Sequence, residues 1–310
     1  MDDLIKEFRA SVLDGKLDEA KRLIELGIEV SDLLDLALCS AINNNDIAMA
    51  EYMLELGANI NYENDYCLRT AAEEGNLKMT ELLLDNGANI NATEDMFTPL
   101  MLAISNSHFN VVKLLLFHNA NLDFALPVAA ANGDLKLLEL LHESGAEIEE
   151  CCGLPLNMAC ANGSKKVVQY LLDNGANIHR MGSEALAKAC INKHSDIVGL
   201  LLARGANIEH ALLTLVESDS YEGLEFLIDF GADFNLYKEK LLRAATTQVK
   251  EGILKMLVVD YDMAINYETM EWLEYEDHTM ALQFIYARDL KKKLAEDLQI
   301  KPQKSKTHKI

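Results

Sequence analysis

Asn86-Gly87-Ala88-Asn89-Ile90 decides the fold, because the string returns. It recurs unchanged at 174–178, as Leu56-Gly57-Ala58-Asn59-Ile60, and as Arg204-Gly205-Ala206-Asn207-Ile208. Weaker copies begin at Gly27, Asn119, Gly145 and Gly231, and a degenerate one at Asp260. The markers stand at 27, 57, 87, 119, 145, 175, 205, 231 and 260, so the spacing stays between 26 and 32 residues. A near-constant period of this size marks a repeat architecture, which overrides the two-domain expectation set by a length of 310 residues.

Outward from the marker, every unit has the same grammar. An apolar block at helical spacing precedes it, as in Val111-Val112-x-Leu114-Leu115-Leu116 and Val167-Val168-x-Tyr170-Leu171-Leu172. The marker Gly supplies a left-handed helix stop. Upstream lies a shorter helix rich in small residues, such as Thr70-Ala71-Ala72 or Val128-Ala129-Ala130, and a turn that often contains Gly joins the two. One such pair cannot bury its own apolar faces, whereas stacked pairs share a continuous core. The expected fold class is therefore all-α: a helical solenoid of about nine helix–turn–helix repeats, occupying 1–290 as one domain. Residues 1–28 form an N-terminal capping repeat. Residues 265–290, with Trp272, form C-terminal capping helices. Residues 291–310, seven Lys against Glu296 and Asp297, are expected as a basic, flexible tail.

This grammar resembles the ankyrin repeat. Phe97-Thr98-Pro99-Leu100-Met101-Leu102-Ala103 followed by Asn110-Val111-Val112-Lys113-Leu114-Leu115-Leu116 is its nearest match, and the likeness covers about residues 1–264. The departures are shortened repeats and the near loss of the family's Thr-Pro-Leu-His string, whose His place is taken by Arg69, Met101, Asn157 or Ala187. The hydrogen bonds of that His must be replaced or absent. The shortening falls where the family carries β-hairpin fingers, so short links or stubby fingers are expected, with fingers almost absent at 121–125 and 208–211.

The resemblance implies a protein–protein interaction scaffold that binds through a concave face of short helices and finger tips. Carried over unit by unit, the short-helix row includes Asn44, Glu73, Glu74, Asn106, Asn132, Asn162 and Asn192. These read either as a ladder of amides facing a partner or as ordinary helix-end chemistry. The links add Tyr62, Glu63, Asp65 and Tyr66, then Glu94, Asp95 and Phe97, and later His179 and Arg180. Their aromatics suit either a contact surface or packing between neighbouring links.

Charge narrows the partner. The chain carries 28 Lys+Arg against 50 Asp+Glu, a net of −22, which disfavours direct nucleic-acid or membrane binding and favours a basic protein. Divergent, shortened arrays are similar to those of intracellular bacteria, their phages and large DNA viruses, implying an inhibitor or effector aimed at a host or rival protein. The alternatives are a substrate-recruiting arm of an enzyme or a cryptic catalytic site, and a self-assembling spacer. The start Met1-Asp2-Asp3-Leu4-Ile5-Lys6-Glu7 lacks the features of a secretion signal, so a cytoplasmic protein is expected, in the producing cell or in a host cell. The six cysteines form no C-x-x-C pair and read as free, mostly buried thiols. Gly163-Ser164-Lys165 lacks the rest of a phosphate loop, and His142-Glu143 lacks a second zinc ligand at Ala146. No catalytic, cofactor or metal site is expected.

Overall fold

Helices come in pairs, as the period requires. The computed structural model describes residues 2–94, 97–180, 184–263 and 265–297. Where the sequence points to one array from 1 to 290, the helices cluster into two compact units, Met1–Glu150 and Cys151–Ile310. The first holds α1 (Asp2–Leu13) with α2 (Leu17–Glu25), α3 (Leu34–Asn43) with α4 (Ile47–Glu55), and α5 (Tyr62–Glu73) with α6 (Leu77–Asp85). It continues with α7 (Pro99–Ser105) and α8 (Phe109–Phe117), then α9 (Ala125–Asn132) and α10 (Leu135–Glu143). In the second unit α11 (Glu150–Ala161) pairs with α12 (Lys165–Asp173), α13 (Glu184–Ile191) with α14 (Ser195–Ala203), and α15 (Ile208–Glu217) with α16 (Tyr221–Asp229). Two further pairs follow, α17 (Lys238–Thr247) with α18 (Glu251–Lys255), and α19 (Tyr267–Tyr275) with α20 (Thr279–Asp297).

In the first unit, first helices stack on first helices (α1 on α3, α3 on α5, α5 on α7, α7 on α9), and second helices do likewise (α4 on α6, α6 on α8). The apolar stripe of each second helix is what the stack buries. Val111, Val112 and Leu115 of α8, Val167, Val168 and Leu171 of α12, and Ile197, Val198 and Leu201 of α14 are all buried. Each such side chain contributes about 2 kcal/mol when buried, and an isolated pair could not realise that gain. Small residues make the first helices thin enough to approach one another. Ala71 and Ala72, Ala129 and Ala130, Ala159 and Cys160, and Ala189 and Cys190 are all buried.

The marker string has a structural reason at each position. Gly87 and Gly175 take φ of 86° and 95°, the left-handed conformation that stops the preceding helix. Where Gly is missing, Asn119 takes φ of 61°, which Asn tolerates better than other side chains. The marker Asn does two things. Its side-chain oxygen accepts the backbone N–H two residues on, at Asn61, Asn91, Asp123 and His179, at 2.9–3.2 Å. Its own backbone N–H reaches back to the preceding link: Asn59 donates to Asp35 Oδ1 at 2.6 Å, Asn89 to Asn61 Oδ1 at 3.3 Å, and Asn121 to Asn91 Oδ1 at 2.8 Å. The recurring string is thus half helix stop and half inter-repeat tie.

Histidine ties exist too, from a position outside the family's His place. His108, just before α8, donates from Nε2 to the Glu73 carbonyl at 2.8 Å, and His194, just before α14, to the Ala161 carbonyl at 3.1 Å. The rings lie over the turn glycines of the preceding pair. A Cβ built on Gly75 would fall 2.4 Å from His108 Nδ1, and one on Gly163 2.6 Å from His194 Cε1. In the family's His place, Arg69 pairs with Glu94 and Asn157 bonds Glu184 at 3.2 Å, so that lost contact is replaced by other chemistry.

The links are short, as one of the two expected forms has it: among the described residues the β-type pairing is one isolated bridge between Glu94 and Phe97. The link at 62–66 instead winds into a left-handed turn at Glu63, Asn64 and Asp65 (φ 48–59°) that runs straight into α5. With so few residues between marker and helix, no room remains for two strands. At 121–125 and 208–211 the next helix begins almost at once, at Ala125 and Ile208. The tail also starts later than 291, since α20 continues through Lys291, Lys292 and Lys293 to Asp297, with Lys292 paired to Asp262 at 2.5 Å. The rest of that tail lies outside the described residues.

Asp134 caps α10, accepting from the backbone N–H groups of Lys136 and Leu137 at 3.0 and 3.2 Å. Asp134→Ala is expected to lower stability by about 1 kcal/mol in urea denaturation. Gly75→Ala should cost roughly 1–2 kcal/mol for backbone strain and more for displacing the His108 ring. In a His108→Ala background the second part vanishes, so the double variant should be less destabilised than the sum of the singles by about 1 kcal/mol. Simple additivity would show that the ring does not sit on the glycine.

Candidate functional site

The stack consumes the apolar stripes of the second helices, and the candidate residues read from the sequence lie on the first helices and the links. In the first unit this surface contains a groove of about 470 Å³. Its floor is Phe8 and Val12 of α1 with Ala37 and Cys39 of α3, and its walls rise to Leu13 and Leu36. Leu13 is 63% exposed and Leu36 50%, although both are large and apolar. Arg9, Glu63 and Tyr66 complete the rim. The sequence reading treated 1–28 as a cap and missed this feature. The available signal was α3 and its N-cap, where Leu33 and Leu36 are apolar in addition to the buried Leu34, Leu38 and Ile42.

The structure brings several expected residues to this region. Tyr66 lines the groove and donates its hydroxyl to Asn43 Oδ1 at 2.9 Å. Tyr62 and Tyr66 are half-buried and pack on the core of the first repeats. The Glu63 carboxylate beside Tyr62 pushes its phenol up. Glu63 is exposed at the rim, while Asp65 is half-buried and accepts from Asn89 Nδ2 at 3.2 Å. Glu73 and Glu74 are exposed at the end of α5. Glu94 is held by Arg69, and Phe97, 47% exposed, is bridged to it through the backbone. Asp95 lies outside the described residues.

The asparagines divide by partner. Asn44 Nδ2 donates to the Leu13 carbonyl at 3.1 Å, and Asn132 Nδ2 to the carbonyls of Ile104 and Ser105 at 2.6 and 3.0 Å. These two tie neighbouring first helices. Asn106 and Asn192 bond one turn back, to the Leu102 and Lys188 carbonyls, each at 3.1 Å. Asn162 is exposed in the second unit, as are His179 and Arg180. The Arg180 side chain runs beside Gly153.

Charge is concentrated where the groove lies. The first unit holds 9 Lys+Arg against 28 Asp+Glu, a balance of −19, whereas the second holds 19 against 22, a balance of −3. Among the described residues there is no grouping of three His, Cys, Asp or Glu able to hold a metal ion, and no helix long and apolar enough to cross a membrane.

No curated protein matches the chain in sequence. Among solved structures, the crystal structure of the human ASB11 ankyrin repeat domain is 26% identical, covering 54% of this chain and 84% of its own, with a TM-score of 0.46. Residues 38–125 and 126–211 each match the sequence profile described as ankyrin repeats in three copies. With paired helices, left-handed marker turns and that match across more than half its length, the chain belongs to the ankyrin-repeat family.

Proposed function

We propose that the chain is a non-enzymatic binding scaffold that holds a basic protein against the first-helix face and links of its N-terminal unit. Membership of the ankyrin family makes protein binding the general role. The observation that carries the finer reading is an apolar groove set in a unit of net charge −19. Clustered acids speed the approach of a cationic partner, and a recess lined by Leu13, Leu36 and Tyr66 retains an apolar anchor once it arrives. Such a partner meets Glu63 at the rim, exposed Glu73 and Glu74 at the end of α5, and the Glu94–Phe97 bridge in the next link. In an inhibitor or effector role, the scaffold would cover the positive surface through which a nuclease or toxin meets its substrate. The action is occupancy alone, in the cytoplasm, with no cofactor.

The partner is to be recovered from cell lysate, identified by mass spectrometry and then measured with the purified chain by titration calorimetry. Raising salt from 50 to 500 mM should weaken binding at least tenfold. Glu63→Gln, Glu73→Gln and Glu74→Gln together should reduce most of that salt dependence, whereas Glu268→Gln, Glu271→Gln and Glu276→Gln in the second unit should leave it in place. Equal effects of the two triple variants would reject the N-terminal face. Tyr66→Ala with Phe97→Ala should accelerate dissociation at least tenfold while the helical circular dichroism is preserved. A mass by light scattering that climbs above 34.5 kDa with concentration would favour a self-assembling spacer instead.

A further inference from the structure

Four Asn-Gly steps occur in the chain, beginning at Asn86, Asn132, Asn162 and Asn174. Glycine in second place leaves its backbone nitrogen open to the asparagine side chain, because no Cβ shields it. At three of these steps the side-chain amide is held: Asn86 Nδ2 donates to the Leu82 carbonyl at 2.8 Å, Asn132 Nδ2 to the carbonyls of Ile104 and Ser105, and Asn174 Nδ2 to the Tyr170 carbonyl at 2.9 Å. The glycine nitrogen is held at the same three steps, for Gly87 donates to the Leu84 carbonyl at 3.0 Å, Gly133 to that of Ala129 at 3.1 Å and Gly175 to that of Leu172 at 3.3 Å. Asn162-Gly163 differs at both atoms. Among the described residues the exposed Asn162 amide meets no hydrogen-bond partner, and the Gly163 N–H meets no carbonyl. Elsewhere in the short-helix row, Asn44, Asn106 and Asn192 also have bonded amides, so Asn162 is the exception in its own series.

We propose that Asn162 is a site of spontaneous deamidation, at which the chain ages into an isoaspartate that loosens the junction between the α11–α12 and α13–α14 pairs. The site lies in the second unit and stands apart from partner binding at the N-terminal face. Asparagine is chemically labile wherever its amide carbon can meet the next backbone nitrogen. A hydrogen bond on either group must open before they meet, and local opening costs free energy that an unbonded step does not spend.

The reaction needs only water. The Gly163 nitrogen gives up its proton to solvent and attacks Cγ of Asn162, a C–N bond forms, and the side-chain nitrogen takes a proton and leaves as ammonia. The cyclic imide that results then adds water at one of its two carbonyls. Opening at the side-chain carbonyl gives aspartate. Opening at the main-chain carbonyl gives isoaspartate, in which the backbone runs through Cβ and Cγ and is longer by one carbon. That extra atom falls in a crowded turn. Gly163 holds φ of 76°, and a Cβ built on it would lie 2.6 Å from His194 Cε1. The same imidazole donates from Nε2 to the Ala161 carbonyl at 3.1 Å, so a lengthened turn pushes on the ring that ties the two helix pairs together. The new carboxylate also stands just past the C-terminus of α11, where the helix dipole disfavours negative charge.

The test keeps the full chain folded at mildly alkaline pH, samples it over weeks, digests it at mildly acid pH and reads the peptides by mass spectrometry. The peptide holding Asn162 should exchange NH2 for OH at least about tenfold faster than those holding Asn86, Asn132 and Asn174, where hydrogen bonds must open first. In concentrated urea every step loses its partners, and the rates should converge. Asn162→Gln should abolish the fast conversion, because the longer side chain does not close the same ring. Labelling by an isoaspartate methyltransferase should mark the aged native chain and leave aged Asn162→Gln nearly blank. Separated by ion exchange, the isoaspartate form should unfold at lower urea than Asn162→Asp, which carries the same charge on a backbone of normal length. Conversion at Asn162 no faster than at the other Asn-Gly steps of the folded chain would overturn the site, and equal urea midpoints would overturn the loosening.

Discussion

Each second helix carries an apolar stripe that its own partner helix cannot cover, and the rest of the molecule follows from that shortage. The stripe of α8, with Val111, Val112 and Leu115, becomes buried only when another pair lies alongside. Hydrophobic burial is non-directional, so it demands a neighbour without fixing where the neighbour sits. Register comes from the polar ties between repeats. A side-chain oxygen at Asp35, Asn61 or Asn91 takes the backbone N–H of the following marker, and a misplaced repeat would leave those groups without their partners.

The same division explains how the repeats have drifted without losing the fold. The family's string around Thr98-Pro99 survives in one unit only, yet contact between neighbours persists through exchangeable chemistry. An ion pair serves at Arg69, an amide at Asn157, and an imidazole entering from the following helix at His108 and His194. What must be kept is reach and complementarity at that junction, while residue identity is free to change.

How legible these features were in the sequence depends on how far apart their determinants lie. The marker turns, the apolar stripes and the small-residue helices are set by residues within a few positions of one another, and periodicity displays them directly. The helix at 99–105 could be read from Thr98 and Pro99 alone, for Thr98 accepts from Met101 N–H as an N-cap should. The ties are another matter. His108 meets Glu73 and Asn132 meets Ile104 across gaps of roughly 30 residues, and each residue looks unremarkable where it stands in the chain. At 62–66 the sequence leaves two readings open because Tyr62 and Tyr66 suit contact and packing alike, and their packing on the first repeats shows only in the fold. The groove escaped notice because exposed Leu13 and Leu36 differ from core leucines only in the direction they face.

Charge and shape do separate jobs on the face that remains. A balance of −19 spread over the first unit acts through solvent across roughly a Debye length, so it biases which proteins arrive and how fast, and salt weakens it. It cannot say where an arriving protein stops, since exposed acids such as Glu73 and Glu74 surround many points alike. Localisation needs a shaped feature, and the recess between α1 and α3 is one: its walls are apolar, its rim carries Arg9 opposite the prevailing charge, and its floor includes Cys39. On the proposed reading a cationic partner with an apolar anchor would satisfy both demands at once, whereas an anionic or a wholly polar one would satisfy at most one of them. The recess is tied to the fold itself, since its floor residues Phe8, Val12 and Ala37 belong to the buried core of the first repeats.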